Sequence, residues 1–270
     1  MIYNHLTCVY ARVQGLSCPP LPPQQLGTPS TARRMVLALA YHAPATEAHH
    51  PMSSTARATT AALHNYVRRV RQTCRLPPPV HGDVWLRLLF RMLPVNCRFA
   101  YLLERPDAIC CAYGCGGVET QHHAFHACPQ IHPVWTFHRD AWRCYGVTFS
   151  WSTISDLDLF TVNARGHHHQ DALKTLWILL IASTLHLIWT EHNKVQYEAA
   201  TPLPPPAWNE LSFLGWTMSV RRWLRLQDPD CPLRSSVLEV LRVQSPYRPL
   251  WTKYPYTLLL APTSATDQRH

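Results

Sequence analysis

The stretch Cys110–Cys128 reads CCAYGCGGVETQHHAFHAC, and it decides how the chain is organised. It sets Cys110, Cys111, Cys115 and Cys128 beside His122, His123 and His126. Thiolates and imidazoles at this density are the donors a tetrahedral zinc ion requires. The tightest assignment is Cys110-x4-Cys115-x7-His123-x4-Cys128. Cys111 can replace Cys110, and His122 or His126 can replace His123. The His-x4-Cys half has the spacing of a zinc knuckle, while the first half is wider than the common Cys-x2-Cys opening. Gly114, Gly116 and Gly117 flank Cys115, so the backbone can turn tightly and direct amide N–H groups at a metal-bound sulfur. Four protein ligands close the coordination sphere and leave no position for an activated water, which makes the expected site structural. The competing reading is buried cysteines packed as small hydrophobes beside exposed histidines.

Outward from this stretch the pattern is helical. Residues 61–75 read as a strongly basic helix carrying Arg68, Arg69, Arg71 and Arg75, either a solvated face or one that meets phosphates. Pro77–Pro79 stop it, and the next helix starts at Gly82–Asp83 with Asp83 as its N-cap. Trp85, Leu88, Leu89 and Met92 follow at helical spacing, and Pro94 ends the run. A further helix spans Val95–Leu103. Beyond the cysteines, Ile131–Tyr145 places Val134, Trp135, His138 and Trp142 on one side, with Trp135 and Trp142 as hydrophobic anchors for the metal loop. One long helix runs from Asp171 to about Ala199. Its apolar centre, Leu176–Trp189, is shorter than the roughly 20 residues of a membrane span and reads as a core helix. Trp208–Leu226 is another helix, with Trp208, Leu211, Leu214 and Met218 inward and Arg221, Arg222 and Arg225 at its end. After Pro229 only Val237–Arg242 reads as ordered. Residues 1–60, with PPLPPQQ at 19–25, have no sustained period and read as disordered apart from a short helix around Arg33–Tyr41. His167, His168 and His169 read as a solvated loop.

Composition bounds the partners. Lys and Arg number 25 against 16 Asp and Glu, for a net charge of +9. That balance favours polyanions, nucleic acid above all. The hydrophobic share of 47% supports a packed core, and the 24 prolines argue that much of the chain lies outside helices. Ten cysteines could form a disulfide framework, but four of them crowd beside histidines and the first residues have no signal-peptide pattern. The expectation is a reducing intracellular setting, nuclear or cytoplasmic and not secreted. Cys8, Cys18, Cys74, Cys97, Cys144 and Cys231 are then free thiols.

The words around the cluster are more specific than its spacing. GCGGVETQHHAFHACP, followed by Trp135, resembles the zinc-binding domain found C-terminal to the polymerase in non-LTR (LINE-like) retrotransposon reverse transcriptases. Cys110 or Cys111 with Cys115 match the family's first pair, Glu119-Thr120 its ET, and His123 and Cys128 its H-x4-C. Upstream, VWLRLLFRMLPVNCRFAYLL resembles the family's lead-in through Trp85, Leu93-Pro94 and Arg98. Downstream, LHLIWTEHNKVQYE resembles its following helix through Ile188-Trp189 and Asn193. The resemblance is good over 84–136, looser to about 198, and does not reach the ends. It implies one structural zinc and a role beside a retroelement polymerase, with RNA or DNA as partner. The family's polymerase holds two metals on paired aspartates, and this chain has no Asp-Asp pair. It therefore looks like a C-terminal fragment without polymerase chemistry.

The expected fold class is mainly α: a small helical domain organised around a CCHC zinc site, with disordered Pro-rich ends. The divisions are 1–80 with its basic helix, 81–145 as the zinc-binding domain, 146–200 as a helical extension, and 201–270 as a Pro-rich linker, one helix and a tail. The expected activity is nucleic-acid binding through Arg68, Arg69, Arg71, Arg98, Arg221, Arg222 and Arg225, with neither a membrane nor a small-molecule substrate. One alternative is a vestigial fragment with a structural zinc alone. Another is a metal-dependent nuclease using Asp156, Asp158 or Glu191, whose simpler reading is ordinary surface charge.

Overall fold

The computed structural model describes residues 60–99, 106–243 and 247–255, all within one compact unit, Pro51–His270. Of the segment read as disordered at 1–60, all but Thr60, together with its short helix and the far tail, lies outside the described residues. In order, the helices are α1 (Thr60–Thr73), α2 (Pro79–Leu89), α3 (His132–Trp142), α4 (Trp151–Ser155), α5 (Gln170–Glu198), α6 (Pro205–Leu226), α7 (Pro232–Val243) and α8 (Arg248–Lys253). Among the described residues there is no strand, only one isolated bridge between Cys110 and Val118. The class is mainly α, as the periodicity predicts.

Helix α5 is the axis of the molecule. Thr175 to Leu185 is buried without a break, because the helix is apolar on every side and other helices cover each side. α2, α6 and α7 pack on it, and α3 packs on α6. It is long and apolar enough to cross a membrane by length and composition, yet 78% of that window is buried inside the molecule. The core runs continuously from Val70 on α1 to Trp251 on α8, so it crosses the boundaries read at 145 and 200. Residues after Pro229 contribute α7 and α8, more than the single short helix expected there.

The prolines act differently from their sequence reading. α2 starts at Pro79 and α6 at Pro205. Proline at the first helical turn sacrifices an N–H that has no helical partner anyway, and its fixed φ suits the helix. Asp83 is consequently inside α2, not at its N-cap, and pairs with Arg87 at 2.9 Å. The helix read at Val95–Leu103 is a 3-10 turn over Asn96–Phe99, and its remainder lies outside the described residues.

The inward face of α6 also differs. Trp208 is buried, but Leu211 and Met218 are 40% and 56% exposed, and Met92 after α2 is 63% exposed. The buried face of α6 carries Phe213, Trp216, Val220 and Trp223, together with Ser212, Thr217 and Ser219. Each of those three hydroxyls bonds to a carbonyl of its own helix: Asn209, Leu214 and Gly215 respectively. With its hydroxyl satisfied locally, a small polar side chain packs like an apolar one.

Candidate metal centre

The metal loop is held between the 3-10 turn at Asn96–Phe99, α3 and α5. Residues 109–119 form a tight antiparallel return. Glu119 N donates to Ile109 O, Cys111 N to Gly117 O, and Gly114 N to Cys111 O. Gly114 and Gly116 lie at positive φ on either side of Cys115, so the chain reverses at that cysteine. A one-turn π-helix, His123–Ala127, follows and then delivers Cys128. Thr120 Oγ1 accepts from His123 N at 3.1 Å, capping the turn that carries the histidine. Trp135 Nε1 donates to Phe125 O at 2.8 Å and ties the same turn to α3, which bears out Trp135 as an anchor. Trp142 instead donates to Tyr247 OH and fastens the chain's later segment.

This scaffold brings four ligand atoms together. One donor atom each from Cys111, Cys115, His123 and Cys128 lies within 4.8 Å of all the others, and among the described residues this is the only such group. Cys111 Sγ and Cys128 Sγ are 3.7 Å apart. A tetrahedral zinc with bonds of about 2.3 Å sets two sulfurs about 3.8 Å apart, so the spacing fits. Cys115 Sγ and His123 Nε2 are 3.1 Å apart, slightly inside the roughly 3.6 Å such an ion gives. Cys111 and Cys128 face the core, whereas Cys115 is exposed and His123 half-buried. The donor set of three sulfurs and one imidazole suits zinc and fills four positions.

Cys111, and not Cys110, lies with the other three candidate donors. The bridge pairs Cys110 with Val118, and Val118 is 49% exposed. Residues opposite each other across an antiparallel pair share a face, and successive residues alternate. Cys110 and Val118 therefore take the outer face, and Cys111 and Gly117 the inner one. A Cβ at Gly117 on that face would come within 2.9 Å of His123 Cε1, so any larger residue there has to displace the imidazole. Of the alternates for His123, His122 stacks on His126, and His126 bonds Phe149 O through Nε2 at 2.8 Å.

Electrostatics favour one thiolate, at Cys128, beside a thiol at Cys111. The hydrogen bond with Cys111 holds Cys128 below the usual cysteine range. The same bond, with burial, pushes Cys111 up. The sulfurs of Cys111 and Cys128 also accept bonds from the backbone at Tyr113 and Gln130, two residues on in each case. Amides aimed at the sulfurs stabilise negative charge before a cation arrives. Binding a cation there displaces the thiol proton.

Glu119 joins the centre to the core, a role its sequence does not announce. Its carboxylate is 0% exposed. Oε1 accepts from His192 Nε2 at 2.9 Å and from Asn96 N at 3.0 Å. Oε2 accepts from Ala112 N at 2.8 Å, one residue past Cys111. Burial alone would raise its pKa, but the bond and charge of His192, helped by the two amides, hold it low. The ET pair thus has two jobs: Glu119 fixes the loop to α5, and Thr120 caps the turn carrying His123.

The predicted phosphate contacts fall into separate situations. Arg68, Arg69 and Arg71 are exposed on α1. Arg69 pairs with Asp158 at 2.7 Å, and Arg68 donates to Asn65. Arg71, Arg222 and Arg225 are exposed with no ion pair among the described residues, and Arg221 is half-buried. Arg98 belongs to the 3-10 turn, and its side chain lies outside the description. The two basic stretches meet the same feature, the first turn of α2. Cys74, just past α1, has its carbonyl against Gly82. His81 bonds Ser219 of α6 at 3.3 Å.

The carboxylates weighed for nuclease chemistry do not gather at a metal-ligand group. Asp156 accepts from Asp158 N, Asp158 holds Arg69, and Glu191 holds Lys194 at 2.6 Å. His167, His168 and His169 close a 3-10 helix, Ala164–His169, in place of the expected solvated loop, and His169 is half-buried against Ser236. All described cysteines are free thiols. No protein-family model matches the chain, and neither a curated protein nor a solved structure is detectably similar to it.

Proposed function

We propose that this chain is a helical nucleic-acid-binding module whose Cys111, Cys115, His123 and Cys128 hold one structural zinc. The observation that carries the reading is the convergence of these four donor atoms within 4.8 Å. Cys111 and Cys128 stand on the core, Cys115 on the glycine turn and His123 on the π-helical turn, so the ion would clamp the two turns to the core. The closed donor set supports a structural ion, and the resemblance to retrotransposon zinc-binding domains supports a role in positioning RNA or DNA for a polymerase. The unpaired arginines Arg71, Arg222 and Arg225 and the net charge of +9 support the polyanion. Free thiols suit an intracellular setting.

The test has two arms. Metal analysis of purified protein is expected to give one zinc per chain. Cys111→Ser and Cys128→Ser should lose it, and Cys110→Ser should keep it. Zinc retained by Cys111→Ser and lost by Cys110→Ser would overturn the ligand assignment. In the second arm, affinity for labelled RNA and DNA should fall as salt rises. Each phosphate contact contributes about −0.9 to the slope of log K against log salt on duplex DNA. A zinc-loaded chain that binds no nucleic acid at low salt would leave only the vestigial structural reading.

A further inference from the structure

A cluster of aromatic and imidazole rings adjoins the metal centre without contributing a ligand to it. His122 and His126 stack at 5.7 Å between centroids. Trp151, the first residue of α4, lies 5.3 Å from His122 and 6.3 Å from His126. His126 also stacks on Trp135 at 6.0 Å and meets His132 edge-on at 6.4 Å. Trp135 is in the core, Trp151 is half-buried, and His122 and His132 are exposed. The cluster therefore rests on the core at one end and opens to solvent at the other.

The charged groups that act on His126 are His122 and His132, with no carboxylate among them. A half-buried indole beside exposed imidazoles offers π-faces to a neighbour, and no carboxylate acts on His126 to repel that neighbour's phosphates. His122 and His126 sit on the turn that presents His123, so the metal clamp would also fix the rings.

We propose that Trp151 and His122 form a stacking platform for an unpaired base of single-stranded nucleic acid. This rests on the nucleic-acid reading above and adds the class of nucleic acid and where it is held. Stacking takes any base, since every base has a π-face, but the base must be unpaired to reach the rings. Duplex grooves present base edges and not base faces. The basic junction near α2 would hold phosphates along the strand, whereas this platform would hold a base.

The experiment measures anisotropy of labelled dT12 and of a 12-base-pair duplex with the full, zinc-loaded chain. Trp151→Leu should lose about tenfold in affinity for dT12, with duplex affinity unchanged. Trp151→Phe should stay within about threefold of wild type, because the stacking face persists. His122→Ala, an exposed change that does not disturb the core, should weaken dT12 several-fold and guards against a folding defect at Trp151. Zinc content should remain at the wild-type level in all three. Unchanged dT12 binding in both Trp151→Leu and His122→Ala overturns the platform while the nucleic-acid reading stands. Equal losses on dT12 and duplex also overturn it. Failure of the wild-type chain to bind either probe removes the nucleic-acid reading, and the platform with it.

Discussion

Acid should unfold this protein through a histidine that is not one of the candidate metal donors. His138 on α3 is fully buried between two hydroxyls. Its Nδ1 is 2.7 Å from Tyr247 OH, and its Nε2 is 2.9 Å from Ser212 Oγ. The proton order is fixed by the ends of the chain. Trp142 Nε1 can only donate, and it meets Tyr247 OH. Ser212 Oγ donates to Asn209 O. Tyr247 then donates to Nδ1, and a neutral His138 donates from Nε2 to Ser212. A second ring proton has no acceptor here, and burial pushes the His138 pKa down to about 3. The unfolded chain, with an ordinary value near 6.5, binds that proton and the folded chain does not. Folded-state stability is therefore complete above about pH 6.5 and declines as pH falls toward 3. Between pH 7.5 and 4.5 the loss from this one group is about 2.7 kcal/mol. Acid would also release a metal held by the cysteines, so the assay compares wild type with His138→Gln by urea unfolding at each pH. Gln cannot titrate, and the variant should lose about 2.7 kcal/mol less than wild type over that range. Identical pH slopes for the two proteins would refute a neutral buried His138.

Three further outcomes follow from the metal loop and its supports. Glu119→Ala should cost about 3–5 kcal/mol in urea unfolding at pH 7, because it leaves His192 and two amides without their acceptor. A cost below about 1 kcal/mol would deny Glu119 its part in holding the loop. Gly117→Ala should weaken zinc at least several-fold in competition with a chromophoric chelator, since the added Cβ falls 2.9 Å from the His123 ring; affinity equal to wild type would show that the ring can step aside. Ser212→Ala should cost about 1–3 kcal/mol by thermal or urea unfolding, as it strands the Nε2 proton of His138. An unchanged midpoint would mean that His138 finds another acceptor.

Much of the fold was legible because its signals are local. The run of apolar residues in α5, the density of donors at 110–128 and the helical spacing of Trp85, Leu88 and Leu89 each depend on neighbours in sequence. The errors share a physical origin in groups whose meaning depends on context. Proline before a helix and proline after one look alike in sequence, so Pro79 and Pro205 read as stops although they open α2 and α6. On α6, Leu211 and Met218 read as inward but are 40% and 56% exposed. Ser212, Thr217 and Ser219 bury because each hydroxyl turns back on its own helix. Partnerships across long separations gave no signal at all. Glu119 meets His192 on α5 and His138 meets Tyr247, and in each case the two residues look unrelated along the chain.

The choice between Cys110 and Cys111 shows where spacing alone stops and pairing begins. A loop closing on four ligands tolerates three or four residues between the first two, so the count from Cys115 cannot separate adjacent cysteines. Alternation can, once a partner strand is fixed. Cys110 faces Val118 across the bridge, and the next pair inward is Cys111 with Gly117. Gly117 already lies under the His123 ring. Any residue that shares its face looks toward the ligands, and any residue that shares the face of exposed Val118 looks away. A one-residue slip of the return would exchange the two faces. It would bring Cys110 inward and carry Gly117 off the histidine, placing the side chain of Val118 or Gly116's left-handed turn in its stead. Glu119 opposes that slip, because its carboxylate holds Ala112 N and its own amide holds Ile109 O. The residue that selects the ligand is therefore not a ligand, and it works from the buried side of the loop.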